Sequence, residues 1–205
     1  MRKPGLTLHP AWFQGRTQRP PYFEGWYYKL VDATEQHRLA VIPGLIRNPA
    51  GGEPSHAFVQ VLEGASGHAS YHEYPLEAFE AAPDAFDVRI GPNRFRLDRL
   101  DLDIDDARGR LRGSVRMAGG VPWPVSIASP GAMGWFAWAP AMQCYHGVLS
   151  LDHALEGSLA VGEDAIDWQG GRGYIEKDWG RAFPSAWVWL QSNHFATRGT
   201  SLMVS

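Results

Sequence analysis

The sequence contains a single cysteine, Cys144, among its 205 residues. One thiol excludes an internal disulfide and a metal site built from several cysteines, and it argues against a disulfide-stapled secreted protein. Basic residues are too few to give an excess of positive charge, and the formal net charge is −3. Because no basic stripe is available to neutralise phosphates, we do not expect nucleic acid as a partner.

Targeting signals and long apolar runs are also missing. The N-terminus begins with basic residues but lacks the apolar core of a signal peptide. The longest apolar stretch, 131–142, is broken by Gly134 and Pro140, and it falls short of the roughly 20 apolar residues that a membrane helix requires. We therefore expect a cytoplasmic protein, and a peripheral contact with a membrane stays open.

Helical periodicity is nearly absent, whereas short runs that alternate between apolar and polar residues recur between Gly, Pro and Asp clusters. Residues 100–104 alternate, a turn follows at 106–109, and 111–117 alternates again, as is typical of a β-hairpin. This spacing predicts an all-β protein in which antiparallel strands form a sandwich or barrel. Further strands are expected at 24–31, 39–46, 56–62, 86–90, 93–97, 145–152, 155–161, 165–168, 174–177 and 186–194.

The segment 173–195 combines tryptophans with polar side chains more densely than any other part of the chain. Alternation places Tyr174, Glu176 and Asp178 on one face of its first predicted strand. By the same rule, one face of the second predicted strand carries Trp187, Trp189, Gln191 and Asn193. Such faces are typical of the wall of an apolar pocket that holds a few fixed polar groups, rather than of a plain core.

Two aromatic motifs lie far apart in the chain. One is Glu176-Lys-Asp-Trp-Gly180, which is followed by Phe183-Pro and a Trp-x-Trp strand, and the other is Phe23-Glu-Gly-Trp-Tyr27. Both resemble signatures of the tocopherol cyclase family, and a weaker match covers 145–159. The resemblance implies a lipocalin-like barrel lobe, two of which occur in tandem in the longer family members. We therefore expect a first lobe over 1–165, and over 166–205 the motif segment with the start of a second, incomplete lobe.

The same resemblance implies an activity: proton-initiated closure of a prenylated hydroquinone, a hydrophobic small molecule, to a chromanol. An alkene is a very weak base, so the acid must be a carboxyl that burial keeps neutral or a cationic histidine. Our order of preference for the acid is Asp178, then Glu176, then Glu24, although many relatives carry Asn in place of Asp178. The residues expected to bind the substrate and shield its carbocation are Trp26, Tyr28, Tyr174, Trp179, Trp187, Trp189, Gln191, Asn193 and His146.

Other interpretations of these residues stay open. Water could trap the cation in place of the phenol, which would make the protein an isoprenoid hydratase, or the aromatic side chains could line the cavity of a lipocalin-like carrier. Core packing is the alternative role of the tryptophans, and a structural ion pair is the alternative role of Glu176. The sequence contains no HExxH, phosphate-loop or dinucleotide fingerprint, so we expect no metal and no cofactor. The oligomeric state is not predicted.

Overall fold

The computed structural model describes residues 4–106, 109–140, 142–197 and 199–205, and strands account for most of the secondary structure in them. The strands are β1 (Tyr22–Val31), β2 (Arg38–Arg47), β3 (His56–Glu63), β4 (Ala69–Pro75), β5 (Phe79–Ala81), β6 (Asp87–Ile90), β7 (Asn93–Arg96), β8 (Arg99–Asp106), β9 (Gly109–Ala118), β10 (Cys144–Val161), β11 (Asp164–Asp167), β12 (Arg172–Gly180), β13 (Leu190–Ser192) and β14 (Leu202–Val204). In these residues the helices are α1 (Pro4–Thr7) and 3-10 turns at Gly15–Thr17, Leu76–Ala78 and Gly134–Trp138. No described helix has the length and hydropathy needed to cross a membrane.

One large antiparallel sheet contains most of these strands. Its order is β4-β3-β2-β1-β12-β10-β9-β8-β7-β6-β5, with β11 paired to β10. Neighbours in the chain are mostly neighbours in the sheet, as short turns between antiparallel strands require. β12 departs from this order, because it pairs with both β1 and β10 and so joins the beginning of the chain to its middle. The consecutive strands β4 and β5 lie at the two ends of the sheet order. Strands β13 and β14 form a separate two-stranded sheet. The predicted all-β, antiparallel fold class is confirmed.

The large sheet curls until its two ends approach each other, which gives a barrel-like lobe. The end strands β4 and β5 are joined directly by the 3-10 turn Leu76–Ala78. Asn93 on β7 donates a hydrogen bond of 3.1 Å to the Tyr74 hydroxyl on β4, across the gap between the two ends. Gly113 and Gly157 have φ values of 145° and 108°, which allows β9 and β10 to bend at their crossing.

The interior of the lobe is filled by large apolar side chains. On β1, the alternating residues Tyr22, Glu24, Trp26, Tyr28 and Leu30 are all buried. The Trp26 ring stacks on Phe86, with ring centroids 5.5 Å apart. The Tyr28 hydroxyl donates to the carbonyl of Arg96 at 2.7 Å, which ties β1 to the strand on the opposite side of the barrel. Burial of this aromatic face supplies much of the driving force for curling the sheet.

An ion pair lies inside this apolar interior. Glu24 and Lys177 are 2.6 Å apart, and both side chains are completely buried. Glu24 also accepts hydrogen bonds from the backbone N–H of Gln14, while Lys177 donates to the carbonyls of Pro10 and Trp12. These contacts hold the N-terminal segment against the barrel. Such a pair tolerates burial only when hydrogen bonds satisfy its remaining polar atoms, as they do here.

Several predicted boundaries differ from the structure. The strands expected at 145–152 and 155–161 form one strand, β10, and the strand expected at 186–194 is reduced to β13, whereas β4 and β5 were not predicted. The predicted turn at 106–109 includes residues 107 and 108, which lie outside the described residues. The large sheet extends past residue 165, because β12 lies between β1 and β10. The second lobe over 166–205 stays a prediction.

Candidate functional site

The candidate site lies on the outer face of the barrel, where β1, β12 and β10 are adjacent. Register pairs Tyr27 with Glu176 and His146 with Asp178. Because side chains alternate along a strand, these residues lie on the face opposite Trp26 and the other interior residues. The two motifs meet here because β12 pairs directly with β1 in the sheet, although the two strands are far apart in the chain.

A pocket of about 800 Å³ lies against this outer face. Its floor includes Glu176, Asp178 and His146, and its walls come from the two segments that follow β9 and β12. Those segments contribute the aromatic side chains Trp123, Phe136, Phe183, Trp187 and Trp189. The volume falls within the range of about 300–1,000 Å³ that is typical of small-molecule sites, and so does the combination of apolar walls with a few polar groups.

Glu176 is the most deeply buried charged group of the pocket, with 6% of its side chain exposed. Its Oε2 atom accepts a hydrogen bond of 2.6 Å from the Tyr174 hydroxyl and one of 3.0 Å from Trp189 Nε1. His146 Nε2 is 3.4 Å from the same oxygen. On the other edge of the imidazole, His146 Nδ1 is 3.0 Å from Asp178 Oδ1. The histidine thus lies between two carboxylates: it is within hydrogen-bond distance of Asp178, whereas its Nε2 is near Glu176 but has no hydrogen-bond partner among the described residues.

Burial favours the protonated form of Glu176, and neighbouring charges favour that of His146. Burial raises the pKa of Glu176, and the charge of Asp178 adds to the increase, whereas His146, Tyr174 and Trp189 oppose it. Burial alone would lower the pKa of His146, but its hydrogen bond to Asp178 and the charges of Asp178 and Glu176 raise it overall. Both groups are therefore protonated to a greater extent near neutral pH than an ordinary glutamate and histidine.

The neighbouring hydroxyl and thiol groups stay neutral. Burial and the charge of Glu176 raise the pKa of Tyr27 to about 12 and that of Tyr174 further still. Burial and the nearby Asp178 likewise raise the pKa of the Cys144 thiol to about 12. Cys144 is consequently a poor thiolate nucleophile, and Tyr174 keeps the proton that it donates to Glu176.

His146, Glu176 and Asp178 are also the described residues whose donor atoms lie close enough to share a metal ion, within 4.8 Å of one another. Asp178 is nearest to Nδ1 and Glu176 is nearest to Nε2. The same three side chains therefore offer a hydrogen-bonded cluster and a donor set of one imidazole and two carboxylates.

The structure divides the predicted site residues between the two faces of the sheet. Trp26, Tyr28, Trp179 and Glu24 lie in the barrel interior, where Trp179 stacks on Tyr145. From the sequence we expect Trp26, Trp179, Trp187 and Trp189 to converge on one cavity or on the seam between two lobes. A single shared cavity is excluded, because the first two are buried in the interior and the last two line the pocket on the other side of the sheet. Glu24 is not part of the carboxylate cluster, and it holds Lys177 instead.

The predicted residues that follow β12 differ in their positions. Trp189 and Trp187 both line the pocket, and Trp187 lies at its rim with 65% of its surface exposed. Asn193 is buried and lies outside the pocket. Its side-chain amide donates hydrogen bonds to Asp152 and to the carbonyl of Gly173, and its amide oxygen accepts one from Lys29 at 3.0 Å. Gln191 is on β13, and its amide atoms are buried without a hydrogen-bond partner among the described residues.

Tyr27, Met133 and Phe136 also line the pocket, and none of them was among the predicted site residues. Tyr27 packs edge-on against Trp189, with ring centroids 5.4 Å apart. Both faces of β1 carry aromatic residues, so alternation alone does not tell which face is interior. The signal that could have identified Tyr27 is its pairing with Glu176, which depends on the contact between the two motif strands.

The chain resembles known proteins over part of its length. Residues 116–205 match the model of a family described as tocopherol cyclase-like. No curated protein matches the sequence. A crystal structure of CghA is 15% identical, with a TM-score of 0.49, over 78% of this chain and 46% of that one. A Nitrosomonas europaea protein described as an AttH is 14% identical, with a TM-score of 0.48, over 83% of this chain and 58% of that one.

This chain therefore spans about half the length of the solved structures that it matches. The resemblance to the tocopherol cyclase family, which rested on two short motifs, is confirmed over residues 116–205, the range that includes β10, β12 and the Glu-Lys-Asp-Trp-Gly run.

Proposed function

With the match of residues 116–205 to the tocopherol cyclase-like family as the premise, we propose that the protein is a cofactor-independent cyclase. Its substrate is a prenylated hydroquinone, and its product is the corresponding chromanol. The observation that carries the proposal is the position of Glu176, which is buried in an aromatic pocket with His146, Tyr174 and Trp189 around one carboxyl oxygen.

Glu176 acts as the acid in this proposal. Burial raises the pKa of Glu176 and so favours the protonated form that an acid needs. When the proton moves to the alkene carbon nearer the aromatic ring, the carboxylate that remains is stabilised by Tyr174, Trp189 and His146. Tyr174 and Trp189 already donate to this carboxyl oxygen, so they lower the barrier without reorganisation, and a protonated His146 adds its charge. Asp178 orients the histidine and balances its charge.

The tertiary carbocation then reacts with the phenol oxygen of the same molecule. The new C–O bond closes the chromanol ring, and the phenolic proton is lost to the carboxylate of Glu176, which restores the acid. Atoms and charge balance, so the reaction is an isomerisation. The faces of Trp189 and Tyr27 shield the cation, each contributing about 0.5–2 kcal/mol when water is excluded.

Incubation of the purified protein with a prenylated hydroquinone in deuterated buffer tests the proposal. We expect a chromanol that carries one deuterium, at the carbon that was protonated. Glu176→Gln should abolish turnover while leaving the dissociation constant nearly unchanged, because the apolar walls supply most of the affinity. Glu80→Gln is the matched control, since Glu80 is exposed on β5, and it should behave as wild type.

The alternatives give different results in the same assay. A tertiary alcohol in place of the chromanol would identify a hydratase, in which water traps the cation. Binding without turnover, equal in wild type and Glu176→Gln, would support a carrier and contradict the acid role of Glu176. A chromanol that lacks solvent deuterium would exclude alkene protonation.

A further inference from the structure

A second groove adjoins the proposed active pocket on the outer face of the sheet. It has a volume of about 460 Å³ and is formed by β1, β2 and β3 together with His194. Tyr27 lines both the groove and the active pocket. Since Tyr27 is paired with Glu176 in the β1–β12 register, the groove begins beside the proposed acid.

The floor of this groove is more apolar than a solvated sheet face should be. Side chains that face water on an antiparallel sheet are normally polar, because only the other face packs on the core. Here Ala40 and Ile42 on β2 and Leu62 on β3 line the groove, and each is only partly buried. The interior already contains the alternate residues Leu39 and Val41, so core packing does not account for this second apolar row.

The polar groups of the groove do not form a site for a charged ligand. The ammonium group of Lys29 is bonded to Asn193 at 3.0 Å, and Asn193 is itself fixed by Asp152 and the carbonyl of Gly173. Among the other residues that line the groove, Glu35 and Arg38 carry opposite charges, and burial lowers the pKa of His194, which favours its neutral form. A flexible hydrocarbon suits this lining better than an anion does.

We propose that this groove binds the distal part of the isoprenoid chain of a ligand whose aromatic head and first isoprenoid unit occupy the active pocket. The inference rests on the proposed function for the identity of the head group. Tyr27, which packs edge-on against Trp189, lies at the boundary that the two cavities share. The length of the groove then sets how many isoprenoid units contribute to binding.

Hydroquinones with saturated side chains test this subsite without requiring turnover. We would measure the dissociation constants of analogues with one to four isoprenoid units by quenching of tryptophan fluorescence. For the wild type we expect roughly tenfold tighter binding per added unit beyond the first, from the apolar surface each unit buries. Ile42→Trp fills the groove and should remove most of this gain, while the one-unit analogue binds as before.

Leu62→Trp should give the same result from the neighbouring strand, which keeps the test valid if one variant fails to fold. Glu73→Trp, at an exposed position on β4, should retain the wild-type dependence on length. The subsite is refuted if both groove variants keep that dependence, if they weaken analogues of every length equally, or if no analogue binds to the wild type. Length-dependent binding of these saturated analogues, combined with no chromanol from the unsaturated prenylated hydroquinone, would refute the proposed reaction alone.

Discussion

At the scale of single residues, the proposed site depends on one carboxyl that experiences opposing influences. Burial favours the neutral form of Glu176, while the donors Tyr174 and Trp189 and a protonated His146 favour the charged form. A group in this position can hold a proton at rest and is stabilised after releasing it. Asp178 acts on the site through His146, because the hydrogen bond between these two side chains raises the pKa of the histidine.

This dependence predicts a shift in the pH profile of Asp178→Asn. Turnover of the wild type should fall as pH rises through the raised pKa of the cluster, because the acid must be protonated. The substitution removes the charge that helps to raise the pKa of both His146 and Glu176. The alkaline limb of kcat should therefore move to lower pH by roughly one unit or more. Cys144→Ser, next to Asp178, is the control, and an unmoved limb in Asp178→Asn would contradict this role of Asp178.

Glu24 illustrates the opposite role for a motif carboxylate. Glu24→Gln leaves the Lys177 ammonium buried without its counter-charge, so we expect about 3–5 kcal/mol of destabilisation in urea unfolding. The double variant Glu24→Leu with Lys177→Met removes both charges and should recover part of that loss. If the double variant is less stable than Glu24→Gln alone, the hydrogen bonds from Lys177 to the carbonyls of Pro10 and Trp12 contribute more to stability than neutralising the buried charge.

At the scale of elements, β10 departs from regular pairing with β12 between Val148 and His153. The irregularity brings His153 Nδ1 to 2.9 Å from the Ser150 hydroxyl. His153 Nε2 is buried without a hydrogen-bond partner among the described residues, and its ring packs so closely on Gly173 that no Cβ would fit there. Burial lowers the pKa of His153 to about 4.

A neutral, buried His153 predicts acid-sensitive stability. The unfolded chain binds a proton at this histidine below its ordinary pKa of about 6.5, whereas the folded protein does so only near 4. Stability should therefore be lost as pH falls through this window, by roughly 2 kcal/mol between pH 7 and pH 5. His153→Gln should flatten the pH dependence of denaturant unfolding, even if it lowers stability at pH 7. A slope identical to that of the wild type would exclude His153 as its source.

Alternation predicted several elements well and left others undecided. The hairpin of β8 and β9 was predicted because Leu100, Leu102 and Ile104 alternate with aspartates, which leaves one apolar face. On β1, Trp26 and Tyr28 alternate with Phe23 and Tyr27, so both faces are aromatic and the sequence does not tell core from pocket. The segment around Trp187 alternates like a strand, yet most of it lacks a pairing partner among the described strands.

At the scale of the whole molecule, the large sheet separates stability from the proposed chemistry. Its inner face contains the aromatic core and the Glu24–Lys177 pair, whereas its outer face contains Glu176, His146 and Asp178. The two faces share the same strands, and Glu176 and Lys177 are consecutive residues with opposite orientations. The rigid interior thereby fixes the backbone that positions the outer cluster.

This separation predicts opposite effects for two conservative tryptophan substitutions. Trp26→Phe shortens a completely buried side chain whose indole N–H has no partner among the described residues, so we expect roughly 2 kcal/mol of lost stability and unchanged ligand affinity. Trp189→Phe removes the N–H donor to Glu176, which should lower kcat about tenfold to a hundredfold. Its effect on stability should stay below about 1 kcal/mol, because the side chain is only partly buried.

Urea unfolding, fluorescence titration and turnover of both variants provide the measurements, with circular dichroism to verify that each keeps its fold. The prediction depends on Trp26 and Trp189 lying on opposite faces of the same sheet. A contrary result would be weaker ligand binding in Trp26→Phe together with an unchanged kcat in Trp189→Phe. The ligand would then bind in the barrel interior, and the outer pocket would not be the active site. If Trp26→Phe lowers only stability and Trp189→Phe lowers only kcat, the sheet separates the hydrophobic core from the active site.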